Sequence, residues 1–227
     1  MTNRLIEPKK TTPSNGGEAK ATEHVTIPAP NLKIAAFTIR GNAPLVTSKF
    51  NSRIQQGIKA TQEAGSTARK GGKRAPKDFD ALYEGSKHCG PDGWCGIPAS
   101  AFRAAFISAC RVCGFHMTKA KLALFVVADG YDPDGGTALV KITKGKPAQF
   151  VTYVRNETGV VDMRARARWA EGWEAVVRVR YDADMFTLSD VANLLARVGL
   201  QVGVGEGRPD SKNSCGQSWG TFDVVQN

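Results

Sequence analysis

The sequence predicts an α+β fold of ferredoxin-like order, βαββαβ, built on an antiparallel sheet. A long basic insertion follows its first strand, and an extra β-hairpin decorates it. Three observations carry this prediction. β-compatible apolar segments begin and end the part of the chain expected to be ordered, at 32–39 and 219–225. Two segments with apolar residues at helical spacing lie between strands, at 98–113 and 188–198. Residues 163–169 and 175–181 alternate with period two.

Taken in order, residues 1–31 are polar and rich in Thr, Pro, Lys and Gly, and read as a flexible N-terminal arm. Residues 32–227 read as one domain. Its first strand, LKIAAFTI, is interrupted by Arg40, Gly41 and Asn42, and Leu45 and Val46 extend it beyond a kink. Residues 48–95 form the insertion. Its first part, 48–77, holds eight Lys/Arg against one acid, Glu63, a net +7 of the chain's +10. A short helix is expected around Arg53–Ala64. In the next helix Pro98 suits the first turn, and Phe102, Ala105, Phe106, Ala109 and Cys113 make the apolar stripe, with Gly114 closing the end. Leu122–Ala128 reads as a buried strand, DGYDPDGG as a loop, and Thr137–Ile142 and Gln149–Val154 as strands. MRARARW and AVVRVRY read as neighbouring strands joined through AEGWE as a hairpin. Thr187 and Asp190 can form a capping box for the second helix, whose stripe is Leu188, Val191, Leu194, Leu195 and Val198. Gly199 is expected to end it, Gln201–Val204 to form a short strand, and Trp219–Val225 the last one.

The chain has 227 residues, 41% of them hydrophobic, with 31 Lys/Arg against 21 Asp/Glu. That balance favours polyanionic partners, nucleic acid first. No apolar run is long enough to span a bilayer, and MTNRLIEPKKTTPSNGG has no apolar core of a secretory signal. The protein is therefore expected in the cytoplasm, with its five cysteines reduced.

The stretch GVGEGRPDSKNSCGQSWG (203–220) is the most conspicuous motif. It lacks both the spacing and the following helix of a dinucleotide fingerprint, and no G-K-[ST] follows for a P-loop. Two readings stay open: a long hairpin, or a backbone-lined anion platform with Arg208 and Lys212 as its charges. Glu206 inside such a platform needs a cationic partner, either Arg208 or an arginine of the 164–168 strand. Cys110 and Cys113 lie on a helix and read as structural thiols, and Cys89 and Cys95 are loosely spaced for zinc; no metal or other cofactor is expected. Asp132/Asp134 and Asp182/Asp184 read as turn residues. Arg164, Arg166 and Arg168, with Arg178 and Arg180, are expected to line one sheet face as a strip that contacts phosphates. Trp94, Trp173 or Trp219 are candidates to stack on bases.

A further set of motifs resembles a known family. Gly96-Ile97-Pro98-Ala99-Ser100-Ala101-Phe102-Arg103 at a helix opening, a basic insertion after the first strand, and the glycine loop before the last strand are similar to the RAMP superfamily. The nearest likeness is to backbone subunits of CRISPR effector complexes, which polymerise along a guide RNA, and to their phage-borne or mobile-element relatives. The resemblance implies that the helix opening and the glycine loop line a nucleic-acid path, and that residues 48–95 form a thumb-like element. The target-cleaving branch carries an aspartate just after the first strand; RGNAPLVTSKFNSR has no carboxylate. The expected function is thus non-catalytic, sequence-independent binding of single-stranded RNA or DNA, with homo-oligomers or filaments along the strand. The residues expected to bind are Arg40, Lys49, Arg53, Lys59, Lys70, Lys73, Arg74, Ser100, Arg103, the five strand arginines, Gly205, Gly207, Arg208 and Lys212. The rival readings are a metal-independent endoribonuclease using His88, and a structural or inhibitor phage protein that self-assembles through the fold.

Overall fold

A computed structural model describes residues 27–49, 60, 63, 76–155, 159, 161–211 and 216–225. Of the expected helix at Arg53–Ala64 only Ala60 and Glu63 are among the described residues, and both are helical; most of the N-terminal arm and site candidates Arg53, Lys59, Lys70, Lys73, Arg74 and Lys212 lie outside them.

The first strand, β1 (Leu32–Gly41), is an interior one. It pairs antiparallel with β9 (Glu174–Asp182) from Leu32↔Asp182 to Arg40↔Glu174, and with β10 (Phe222–Val225) from Thr38↔Val225 to Gly41↔Phe222. Two strands share the far edge of β9. β4 (Leu124–Val127) takes Tyr181 to Arg178, and β6 (Ala138–Lys144) takes Ala175 and Glu174. They act as one interrupted strand, and the chain leaves the sheet between them. In that excursion β5 (Gly130–Tyr131) folds onto Ala138 and Leu139 of β6, while β3 (Gly96–Pro98) pairs with β6 from Leu139 to Lys141. Every one of these pairings is antiparallel. The result is a mixed α+β structure with a seven-stranded sheet.

A second, three-stranded sheet has the order β2-β8-β7, from β2 (Leu45–Thr47), β7 (Pro147–Arg155) and β8 (Val161–Trp169). This corrects the expected arrangement of the two arginine strands. β8 and β9 do not pair with each other; β8 pairs with β7 and β2. The reason lies in AEGWE. Trp169 and Trp173 are both fully buried, so the connection dives into the core rather than closing a hairpin. It hooks over the end of β1, with Gly41 N–H donating to Trp173 O (2.8 Å) and Gly172 N–H to Gly41 O (2.8 Å). Helix α1 (Phe79–Glu84) caps the second sheet. Its buried successor Ser86 accepts from Ala167 N–H through Oγ (2.7 Å), and from the Thr47 hydroxyl through its carbonyl (3.0 Å).

Helix α2 (Ala99–Val112) buries Ala99, Phe102, Ala105, Phe106, Ala109 and Cys110. Its stripe matches expectation except at the end. The helix stops at Val112, so Cys113 caps it and is exposed while Cys110 faces the core. The stop is a Schellman motif, with Phe115 N–H donating to Cys110 O (3.0 Å) and Gly114 N–H to Arg111 O (3.4 Å). Pro98 sits at the N-cap rather than inside the first turn. The strand expected at Leu122–Ala128 is shorter. Helix α3 (Met117–Ala123) takes its first residues, burying Ala120 and Ala123 at helical spacing.

Helix α4 (Leu188–Arg197) has the expected capping box, with both Thr187–Asp190 bonds present. It does not end at Gly199. A π-helical turn, Val198–Val202, replaces the expected strand at Gln201–Val204. Gly199 is there for closeness: a Cβ would lie 2.0 Å from Phe222 O. The last strand starts at Phe222, later than expected, because Ser218–Gly220 are spent on a turn. One apolar cluster from Ile39 to Phe222 joins α2, α4 and both sheets, with Phe102, Trp173 and Phe222 in edge-on ring contacts.

Candidate functional site

The two motifs singled out in the sequence meet. β3 delivers Ile97 and Pro98 to the start of α2, and the glycine loop lies across from them. Between them is a cleft of about 340 Å³, walled by Ser48, His88, Pro98, Ala101, Gly205 and Arg208. A second hollow of about 280 Å³ shares Ala101, Gly205 and Arg208 with it and continues past Ala104 to Ser108 and Arg111. Together they form a groove between α2 and the loop. Small side chains make its floor: Ala101, Ala104, Ala105 and Ser108 follow the i, i+3, i+4, i+7 spacing of one helix face.

The glycines of the loop are packing devices. Gly205 has φ +84°, and a Cβ there would stand 2.5 Å from Val46 O. The loop backbone is stitched to β2 and to itself. Glu206 N–H donates to Val46 O (2.8 Å), Val204 N–H to Gly220 O (3.0 Å), Gly220 N–H to Pro44 O (2.8 Å) and Gln217 N–H to Gly207 O (2.7 Å). These four N–H groups are already engaged within the fold. Arg208 donates to Gly205 O (3.2 Å), and Glu206 pairs with Arg166 Nε (2.6 Å), one of the partners expected from sequence. Lower in the groove the Ser108 hydroxyl donates to Asp210, and Arg111 donates to Ser108 Oγ (3.3 Å).

At the other end, Lys49 is held by Asp132 (2.6 Å) and Asp134 (3.0 Å). Burial alone would depress the Lys49 ammonium, but its hydrogen bonds to both aspartates outweigh it and hold the pKa above the ordinary value. Burial likewise pushes Asp132 up, yet the Lys49 bond and the Asp134 N–H carry it below the usual carboxylate range. Asp132 and Asp134 are therefore turn residues, as expected, and also the counter-ions of Lys49. Beside them His88 is depressed, first by burial and then by the Lys49 charge. Its Nδ1 is buried with no hydrogen-bond partner among the described residues.

The remaining candidates are dispersed, and the single arginine strip does not form. With β8 and β9 in different sheets, each arginine is tied locally. Arg164 lies 3.6 Å from Asp162, and Arg168 stands over the Phe150 ring at 4.9 Å. Arg178 binds Asp129 (2.6 Å) and Ala128 O (3.1 Å), and Arg180 covers Phe125 at 5.2 Å. Arg103 donates to Leu124 O (3.1 Å) and sits over the same Phe125 ring at 4.9 Å. Arg40 pairs with Glu174 (2.8 Å), which Lys144 also reaches (3.1 Å). Ser100 is exposed in the first turn of α2, and Gly207 packs under Trp219. Trp173 is fully buried and donates to Ala43 O (3.0 Å), so it is a core residue and not a stacking platform.

Ser48, Ser108, Arg111 and Asp210 line the groove but were not singled out in the sequence. Ser108 carried a signal, one helical turn beyond Ala104 on a face of small residues; Asp210 carried none. Comparison with known proteins finds no family model that matches the chain and no curated protein that matches it. Among the described residues, no helix is long and apolar enough to cross a membrane.

Proposed function

We propose that the chain is a non-catalytic, sequence-independent binder of single-stranded nucleic acid, acting in the cytoplasm of a bacterial host and assembling in several copies along the strand. One observation carries the reading. Residues 48–77 hold a net +7, and the chain enters this stretch at Ser48 and Lys49, at the mouth of the groove between α2 and the glycine loop. Among the described residues, many cations outside this stretch pair with acids or stand over rings, as do Lys49 and Lys77 at its two ends. A mobile or extended strand of phosphates is drawn by such a charge concentration without base reading. The ferredoxin-like reading belongs to the same proposal. It is supported by the order β10-β1-β9-β4, with α2 and α4 as the two crossovers and the remaining strands as additions. So does the likeness to RAMP backbone subunits, supported by the meeting of the Gly96–Arg103 helix opening with the glycine loop.

Fluorescence anisotropy with labelled single-stranded RNA, single-stranded DNA and duplex at two salt concentrations tests the proposal. Tight binding of the single strands that falls steeply with salt is expected. No binding to any of them sinks it. A second reading, a metal-independent ribonuclease, draws on His88, which borders the cleft and whose pKa is lowered first by burial and then by the Lys49 charge. Cleavage of labelled RNA that disappears in His88→Ala would replace the first reading with the second.

A further inference from the structure

The hairpin that carries His88 into Gly96 brings two thiols face to face. Cys89 and Cys95 form an isolated antiparallel bridge, and their sulfur atoms lie 3.8 Å apart. Gly90 N–H donates to Trp94 O (2.9 Å) and Gly96 N–H to His88 O (2.9 Å). These two bonds bracket the cysteines, so Cys89 and Cys95 are a non-hydrogen-bonded pair. Such pairs have Cα atoms about 4.5 Å apart, inside the range a disulfide spans. Both thiols are half-buried, hence within reach of a small reagent. The other described pair differs: Cys110 faces the core and Cys113 faces solvent from a helix end.

We propose that Cys89 and Cys95 are a reversible dithiol–disulfide site whose co-reactant is a low-molecular-weight disulfide of the glutathione class. The thiolate of one cysteine attacks the reagent's sulfur–sulfur bond, forming a mixed disulfide and releasing one reagent thiol. The second cysteine sulfur attacks the protein sulfur of that mixed disulfide and expels the other reagent thiol. The dithiol is oxidised by two electrons, the reagent disulfide is reduced to two thiols, and the two cysteine protons end on them. No backbone movement is needed beyond closing the sulfur–sulfur gap.

The location gives the site a consequence. His88 precedes the bridge directly, and Gly96-Ile97-Pro98 follow it into α2. Oxidation fixes the hairpin that forms this wall of the cleft. Burial and the neighbouring Cys89 push the Cys95 thiol up to about 11, which makes Cys95 the poorer first nucleophile at neutral pH.

The full-length chain, equilibrated across a series of reduced-to-oxidised glutathione ratios, is acid-quenched, alkylated and mapped by mass spectrometry. Two thiols should be lost together, with a Cys89–Cys95 cross-link that a reductant reverses. Cys113→Ser should leave the titration unchanged. Cys89→Ser and Cys95→Ser should each abolish the intrachain cross-link, and the map of the unmodified chain stands alone if either fails to fold. Alkylation of both Cys89 and Cys95 at full glutathione disulfide overturns the proposal. So does a cross-link that involves Cys110, Cys113 or Cys215 instead.

Discussion

At the scale of single residues, the groove is held by a few pairs with different sensitivities. Arg166 and Glu206 are mostly withdrawn from water and join β8 to the glycine loop. Arg166→Ala strands a carboxylate there, with an expected loss of about 1–2 kcal/mol in urea unfolding. The double variant with Glu206→Gln should lose less than the sum of the two single changes. His88 and Asp132 give the protein an acid limb. Both have folded pKa values below their unfolded ones, so the unfolded chain binds more protons and stability falls as pH falls. The His88 share is complete above its ordinary value of about 6.5 and is lost as pH drops through the lower folded value. The Asp132 share goes further down, below about pH 4. Urea midpoints measured from pH 8 to 4 should decline from near pH 6.5, and His88→Gln should flatten the upper part of that decline. An unchanged profile in His88→Gln refutes the assignment.

At the scale of elements, the amphipathic helices and period-two strands were legible in the sequence because their patterns are local. The Thr187 capping box is one such case, and Thr187→Ala should cost about 1 kcal/mol in thermal or chemical unfolding. What the sequence did not disclose is partner choice. Alternation in MRARARW and AVVRVRY establishes two strands with arginines on one face, but not which neighbour each strand has. Two buried tryptophans decide that, by pulling AEGWE into the core and sending β8 and β9 to separate sheets. Helix α3 was missed because its apolar residues run directly into those of β4. The glycine loop was legible as a motif and ambiguous as a function. Its close approach to β2 shows what the glycines do. Gly205→Ala should therefore destabilise by about 2–3 kcal/mol through the left-handed backbone and the Val46 carbonyl, whether or not nucleic acid is present. Loss of nucleic-acid binding without loss of stability in that variant would contradict the packing role.

At the scale of the whole molecule, charge and fold are unevenly distributed. Most of the formal +10 lies in 48–77, and among the described residues several strand cations have acid partners of their own. Replacing Lys70, Lys73 and Arg74 by Gln should leave the thermal midpoint nearly unchanged. The same change should lower the slope of log affinity against log salt by about 2. An unchanged slope would move the proposed contacts away from this stretch. The interior position of β1 reaches beyond the finished protein. Its neighbours β9 and β10 are made last; Asn42 bonds Asp223 across 181 positions. At ribosomal speed that interval is on the order of ten to forty seconds. Until β9 is made, its Glu174 standing 134 positions after Arg40, both edges of β1 lack partners, and the β10 edge stays open for the rest of the interval. A cationic stretch, residues 48–77, follows within a few residues, and charge flanking an apolar strand disfavours edge-to-edge pairing between copies.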